Sequence, residues 1–266
     1  PHPLLVLDDP FSALDRKTEE QVFDNLRKMT AGSTVLLISH RLYLFPQMDG
    51  VLWIQDGKAV CAAHKELMAQ IPDLHTLGGR TYFVGDPAKF SKGCTSCLTG
   101  TGLSAIRRTN KCNIRCPFCY NYGELDCQET IGEGLWEIGG TYFRVEDIDL
   151  LLSTSNRPTG VSYVYLEPFM EIELYPDIIR KFRAAGIHQH MYTNGTLCTE
   201  ENLRALGEAG LDELRFNLGA TSCADNVIQS IATAKKYIPT VAIETPMTPD
   251  FYEHFQQKKD VILATG

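Results

Sequence analysis

The stretch Cys112-Asn113-Ile114-Arg115-Cys116-Pro117-Phe118-Cys119 carries the strongest chemical signal in this chain. Its three cysteines follow the spacing C-x3-C-x2-C, which allows three thiolates on one loop to converge on one metal centre. Four cysteines close a 4Fe-4S cluster, whereas three leave one iron without a protein ligand and open for chemistry. The spacing therefore predicts an open iron–sulfur cluster with Cys112, Cys116 and Cys119 as its ligands.

A structural zinc site is the competing interpretation of these cysteines. Zinc commonly binds two C-x2-C pairs, and Cys94-x-x-Cys97 could pair with Cys116-x-x-Cys119. That pairing would leave Cys112 without a role and would not account for the strand–helix units that follow. Three cysteines outside the motif stay open between an auxiliary cluster or metal, a sulfur function and no chemistry: Cys94, Cys97 and Cys127.

Downstream of the motif, short apolar strands alternate with amphipathic helices. Strand candidates begin near Val161, His188, Glu213 and Val241, and each is followed by a helical pattern. Such alternation is typical of βα units around a parallel sheet, so the predicted fold class is α/β. Sites in these folds lie at the carboxyl ends of the strands.

The cysteine motif, with the aromatic Phe118 before its last cysteine, resembles the defining motif of the radical S-adenosylmethionine enzymes. The resemblance extends over residues 81–266, where the βα units follow the cysteine loop. It implies a partial (β/α) TIM-like barrel truncated before its last strand, with a 4Fe-4S cluster and S-adenosylmethionine as cofactors. The implied reaction is reductive cleavage of S-adenosylmethionine to a 5′-deoxyadenosyl radical, which acts on a small-molecule or peptide substrate. An external electron donor is implied as a partner.

The resemblance also assigns cofactor-binding residues after the cysteine loop. Tyr165-Leu166-Glu167-Pro168 aligns with the family's Gly-Gly-Glu-Pro segment, so Glu167 is expected to receive the methionine amino group, although both glycines are replaced. Asn217 follows the strand segment Leu214-Arg215-Phe216, at a strand end where a polar side chain could bond the ribose hydroxyls. A strand-end carboxylate in solvent and a simple turn asparagine are the respective alternatives. Glu244 is a weaker candidate of the same kind, and His188 and His190 are expected to line the polar face of their strand.

The N-terminal segment carries a different set of motifs. Leu4-Leu5-Val6-Leu7-Asp8-Asp9-Pro10-Phe11-Ser12-Ala13-Leu14-Asp15, followed by Leu37-Ile38-Ser39-His40-Arg41, resembles the C-terminal third of an ABC-transporter ATPase. The resemblance covers residues 1–78. It implies that Asp8 holds magnesium, that Asp9 takes the place of the glutamate that polarises the attacking water, and that His40 contacts the terminal phosphate. Asp9 is one methylene shorter than that glutamate.

This segment lacks the phosphate-binding part of such an ATPase. No G-x-x-x-x-G-K-S/T loop occurs in the 266 residues, so ATP and Mg are expected to bind only if the missing parts are supplied. A membrane subunit of an ABC transporter would then be a partner of residues 1–78.

These motifs predict three segments: an ATPase part over residues 1–78, a Cys- and Gly-rich junction over 79–100 and a radical S-adenosylmethionine core over 101–266. A fragment of an exporter ATPase with a peptide-modifying appendage is one alternative, and a fused or mis-joined reading frame is another. The absence of a start Met and the helix stop at Gly266 suggest that both ends are cut.

Composition excludes several classes of protein. The net charge of −8 and the lack of a basic groove argue against nucleic acid as a partner, and 44% hydrophobic residues argue against disorder. The apolar runs are far shorter than the roughly 20 residues that cross a bilayer. Nine cysteines without an export signal indicate a reducing compartment. The expected location is the cytoplasm, with the ATPase segment at the cytoplasmic face of the membrane.

Overall fold

A computed structural model describes residues 4–8, 10–11, 16–39, 42–55, 57–77, 81–103, 105–119, 121, 131–155 and 157–266. The chain divides into two compact units, Pro1–Pro87 and Ala88–Gly266. Within the described ranges, no helix combines the length and the apolar character needed to cross a membrane.

The N-terminal unit is built around a small βαβ arrangement. Its elements are β1 (Leu4–Asp8), α1 (Arg16–Met29), β2 (Thr34–Ile38), β3 (Val51–Gln55), β4 (Lys58–Ala62), α2 (His64–Met68), β5 (Leu74–Leu77) and β6 (Thr81–Val84). Strands β1 and β2 pair in parallel, while β3–β4 and β5–β6 are antiparallel pairs. Phe11, Phe23 and Leu44 form a small core. The β5–β6 pair crosses the boundary predicted after residue 78.

The larger unit contains a five-stranded sheet. Its elements are α3 (Lys92–Leu98), β7 (Gly102–Leu103), β8 (Trp136–Ile138), β9 (Thr141–Phe143), α4 (Ile148–Leu152), β10 (Gly160–Tyr163), α5 (Pro176–Ala184), β11 (His188–Thr193), α6 (Glu200–Ala209), β12 (Glu213–Phe216), α7 (Asp225–Ala234), β13 (Thr240–Ile243) and α8 (Pro249–Leu263). The order β13-β12-β11-β10-β7 is parallel throughout. The α/β fold class predicted from the sequence is confirmed.

Helices α6 and α8 begin where the sequence pattern indicates. The Thr199 side chain accepts a hydrogen bond from the Asn202 amide and Thr248 accepts one from Phe251, so both threonines cap helices. Gly210 ends α6 with φ of 99°, a left-handed conformation that favours glycine. Side chains alternate across the sheet, and one face packs into the apolar core. That core includes Tyr163, Met191, Leu214, Phe216, Ile178, Phe182, Leu206 and Ile231.

The opposite face of the sheet is polar and is covered by α3. A Cβ on Gly93 would lie 2.8 Å from His190 Nδ1 and 3.0 Å from both Arg215 Nη2 and Glu213 Oε2. Only a glycine lets the helix backbone approach the strands this closely. The helix lies inside the segment predicted as a junction, 79–100, and it packs against β7, β10 and β11.

Candidate active site

A cavity of about 540 Å³ lies at the carboxyl ends of the strands in the larger unit. This is where parallel α/β sheets place their sites, because the loops after neighbouring strands meet there. The cavity brings together most of the residues assigned from the sequence: Cys112, Cys116, Phe118, Cys119, Glu167 and Asn217. Glu244 also lines it.

Hydrogen bonds fix the cysteine loop to the strand ends. Asn113 accepts from the Asn194 side-chain amide at 2.8 Å and donates to Thr196 Oγ1 at 2.7 Å. The backbone N–H of Glu167 donates to the Lys111 carbonyl at 3.1 Å. The loop that carries the cysteines is therefore positioned by the ends of β10 and β11.

Two thiols of the loop, Cys112 and Cys116, have raised pKa values. Burial, together with the smaller effect of the neighbouring charges of Cys112 and Cys119, raises the pKa of Cys116 to about 11. Burial likewise raises the pKa of Cys112. Three thiolates so close together repel one another, and a cationic metal centre would offset both this repulsion and the loss of hydration. The donor set therefore fits an iron–sulfur cluster.

A site for a single metal ion is the competing interpretation of these cysteines. Among the described residues, no group of three His, Cys, Asp or Glu side chains is arranged to hold one ion. Cys112, Cys116 and Cys119 all line the same cavity. Cys94 lies on α3, where its Sγ is 3.3 Å from Arg215 Nη2, and Cys97 is exposed. Cys127 lies outside the described residues.

Glu167 is buried directly behind the cysteine loop, with 1% of its surface exposed. Its carboxylate accepts hydrogen bonds from Thr193 Oγ1 at 2.8 Å, from the Asn194 amide at 2.7 Å and from the Phe169 amide at 3.1 Å. Burial raises its pKa to about 7, although these three donors act in the opposite direction. A carboxylate offers about four lone-pair sites, so one remains for a further donor.

The neighbouring Leu166 has a left-handed backbone conformation, with φ of 51°. A side chain is disfavoured there by about 1–2 kcal/mol because Cβ approaches the following carbonyl oxygen. This position aligns with a glycine in the motif that Tyr165-Leu166-Glu167-Pro168 resembles. Leu166 thus has a backbone conformation that favours glycine, and its side chain lines the cavity.

Asn217 caps the turn that follows β12. Its Oδ1 accepts from the Ala220 amide at 3.3 Å and from Thr245 Oγ1 at 2.8 Å. Asn217 therefore has the turn role that the sequence analysis gave as its alternative. Its Nδ2 amide is the group that remains to donate to a ligand. Phe118 packs near this turn, since a Cβ on Gly219 would lie 3.4 Å from Phe118 Cζ.

Sequence reasoning missed a buried ionic group on the polar face of the sheet. Arg215 Nε donates to Glu213 at 2.7 Å, its Nη1 donates to Tyr192 Oη at 2.7 Å, and it also pairs with Glu244. His188 Nε2 lies 3.2 Å from Glu213 Oε2. The alternation of Glu213 and Arg215 along β12 was the available signal, because two charges on one strand face must find partners inside the fold.

The predicted ATPase residues lie in the N-terminal unit. Asp8 ends β1 and is exposed, in register with Ile38 at the end of β2. Asp9 and His40 lie outside the described residues, so the structure gives no geometry for a nucleotide site there.

Comparison with known proteins identifies the class to which this fold and cavity belong. The model of the radical SAM superfamily matches residues 106–257, which is more than half of the chain. The chain belongs to this superfamily.

Among individual relatives, the chain is 23% identical over 182 residues to the tungsten-containing aldehyde ferredoxin oxidoreductase cofactor-modifying protein of Pyrococcus furiosus. The match covers 59% of this chain and 47% of that protein. The solved structure of BtrN in complex with AdoMet and 2-DOIA is similar with 18% identity and a TM-score of 0.38, over 53% of this chain and 56% of BtrN.

Two further relatives match over short stretches. The ATP-dependent lipid A-core flippase of Bordetella avium is 40% identical over 68 residues, which is 25% of this chain. The ABC transporter ATP-binding protein RamA of Streptomyces coelicolor is 40% identical over 81 residues, which is 30% of this chain. Each match covers 12% of the relative. The chain thus spans about half of the Pyrococcus protein and a small part of the ABC proteins.

Proposed function

We propose that this protein binds a 4Fe-4S cluster through Cys112, Cys116 and Cys119 and reductively cleaves S-adenosylmethionine. The observation that carries the proposal is the meeting of these thiols with the buried Glu167 carboxylate in one cavity at the carboxyl ends of parallel strands. When bound, the cluster and S-adenosylmethionine supply a 5′-deoxyadenosyl radical, which removes a hydrogen atom from the substrate.

The protein's own residues bind and orient the cofactor. The three cysteines act as thiolates, and the Asn113 hydrogen bonds hold their loop in place. Glu167 uses its remaining lone pair to accept a hydrogen bond from the methionine ammonium group. Asn217 donates its Nδ2 amide to the ribose hydroxyls, and Phe118 excludes water from this side of the cavity.

We infer that the five parallel strands form the first part of a TIM-like barrel. Each strand in the order β7, β10, β11, β12 and β13 pairs with the one before it, as in a βα barrel. The substrate is a small molecule or a peptide that enters the open cavity. An external electron donor reduces the cluster. The eight described cysteines are all free, which supports a cytoplasmic location.

A second candidate function concerns residues 1–78, because the two ABC proteins match over short stretches. In this proposal, Asp8 holds magnesium and Asp9 and His40 act in ATP hydrolysis once another polypeptide supplies the phosphate loop. A transporter membrane subunit is then the partner. Mg-ATP alone is expected to leave the melting temperature of the chain unchanged. Stabilisation that disappears in Asp8→Asn would show a nucleotide site complete within this chain and contradict the need for a second polypeptide.

Metal analysis tests the main proposal. Anaerobic reconstitution with iron and sulfide is expected to give about four iron and four sulfide ions per chain. Cys116→Ser is expected to lose both, and Cys97→Ser, which alters an exposed cysteine on α3, is the matched control that retains them. Stoichiometric zinc without sulfide would contradict the proposal. More than about six iron ions, reduced by Cys97→Ser, would assign a second cluster to α3.

A further inference from the structure

Tyr192 and Glu244 form a second wall of the cavity, which differs from the cysteine loop in presenting a carboxylate. Glu244 directly follows β13, Tyr192 lies in β11, and both line the cavity. Arg215 of β12 links them, since its Nη1 donates to Tyr192 Oη at 2.7 Å and also contacts Glu244 Oε2. This wall therefore presents a carboxylate in a fixed position at the carboxyl end of the sheet.

The hydrogen-bond donors of Arg215 already have partners within the protein. Its side chain is 5% exposed, and its remaining donors bond Glu213 Oε1 at 2.7 Å, Ser91 Oγ at 3.2 Å and Cys94 Sγ at 3.3 Å. The hydrogen bonds from His188 and Arg215 outweigh the effect of burial and hold the pKa of Glu213 at about 2. Because the N–H groups of this guanidinium are all bonded within the protein, it is not available to an anionic ligand. Its effect on the cavity is to orient Glu244.

Glu244 is the accessible member of this ion pair. Its side chain is 53% exposed, whereas that of Arg215 is 5% exposed, and its Oε2 faces Arg215. The described residues that line the cavity include two carboxylates, Glu167 and Glu244, and no lysine or arginine. Such a wall disfavours an anionic group and favours a cation that can donate hydrogen bonds.

We propose that the substrate carries a protonated amine, that Glu244 binds this amine, and that Arg215 is the residue that positions Glu244. This inference rests on the proposed function, in which Glu167 serves the cofactor and Glu244 is left for the substrate.

Binding of small probes to the cluster-loaded chain with S-adenosylmethionine tests the proposal. The probes are n-butylamine, n-butanol and butyrate, followed by ligand-observed NMR at neutral pH. The wild-type chain is expected to bind n-butylamine about tenfold more tightly than n-butanol, with butyrate the weakest, because one charge-assisted hydrogen bond separates the first two. Glu244→Gln is expected to abolish this preference, whereas Glu253→Gln, an exposed residue of α8, retains it.

Arg215→Lys tests the positioning role, because lysine keeps the charge but cannot hold Tyr192 and Glu244 together. The ratio of amine to alcohol affinity is expected to fall several-fold while n-butanol affinity stays constant, a pattern that general loss of structure would not give. An unchanged ratio would overturn the assignment of Arg215.

Two outcomes would overturn the substrate assignment itself. One is equal binding of the three probes by the wild-type chain, and the other is a loss of S-adenosylmethionine affinity in Glu244→Gln with amine preference intact. Neither readout requires turnover. A chain that shows the amine preference but never cleaves S-adenosylmethionine would contradict only the proposed function.

Discussion

The backbone amide of Asn194 donates a 2.7 Å hydrogen bond to Oε2 of Glu167, a carboxylate with 1% of its surface exposed. Asn194 also bonds Asn113 in the cysteine loop, so one residue connects the carboxylate to the loop of thiols. Burial nevertheless keeps the pKa of Glu167 at about 7. The charge of this carboxylate therefore changes within the physiological pH range.

S-adenosylmethionine affinity is expected to fall as the pH is lowered below about 7. The ammonium group needs the ionised carboxylate, and at pH 6 about one tenth of a carboxyl with the pKa of Glu167 is ionised. Affinity measured by calorimetry should thus drop about tenfold between pH 8 and pH 6. Glu167→Gln should bind about ten- to a hundredfold more weakly at pH 8 and show no such dependence.

Glu173→Gln, which alters an exposed residue in the segment after Glu167, serves as the control for this titration and should keep the wild-type profile. A wild-type affinity that is constant from pH 6 to pH 8 would refute the role of Glu167. The same decline in Glu167→Gln would refute it as well.

Leu166→Gly is expected to cost less stability than Val164→Gly. Both side chains are half-buried and line the cavity, but only Leu166 has a left-handed backbone, with φ of 51°. Glycine relieves about 1 kcal/mol of strain at residue 166, which offsets much of the lost side-chain contact, whereas Val164 offers no such relief. Urea denaturation of both variants should show the difference, and equal losses would argue against strain at Leu166.

Gly93→Ala is expected to destabilise the larger unit by about 1–3 kcal/mol, because the new methyl group would enter the space of His190, Arg215 and Glu213. Gly50→Ala is the control, since its Cβ would meet only Cys61 Sγ at an ordinary 3.8 Å. Thermal unfolding followed by circular dichroism measures both. A Gly93→Ala variant as stable as the control would show that α3 does not pack tightly on the sheet.

The strands from β10 to β13 could be predicted because their apolar runs, turn residues and helix caps all favour the same βα units. Expected starts near Val161 and Val241 differ by one residue from the observed Gly160 and Thr240, and those at His188 and Glu213 agree. Local signals and tertiary packing agree in this region. The meeting of the cysteines and Glu167 then follows from the carboxyl-end rule for parallel strands.

Other elements depend on long-range contacts that the sequence does not display. Helix α3 (Lys92–Leu98) consists mostly of small and polar residues, and it packs against the polar face of the sheet. The buried Arg215 group likewise takes partners from other segments of the chain, including Ser91 and Tyr192. The β8–β9 hairpin is a different case: it is not among the elements predicted from the sequence, although its turn is Gly139-Gly140, both with positive φ, and such a pair favours tight hairpin turns.

In the proposed function, the cavity lined by the three cysteines cleaves S-adenosylmethionine, and release of 5′-deoxyadenosine measures this cleavage most directly. The reconstituted chain is reduced anaerobically with dithionite, mixed with S-adenosylmethionine and analysed by liquid chromatography and mass spectrometry. We predict release by the wild-type chain and by Cys97→Ser, and none by Cys116→Ser. A chain loaded with about four iron and four sulfide ions that binds S-adenosylmethionine yet releases no 5′-deoxyadenosine would contradict the account.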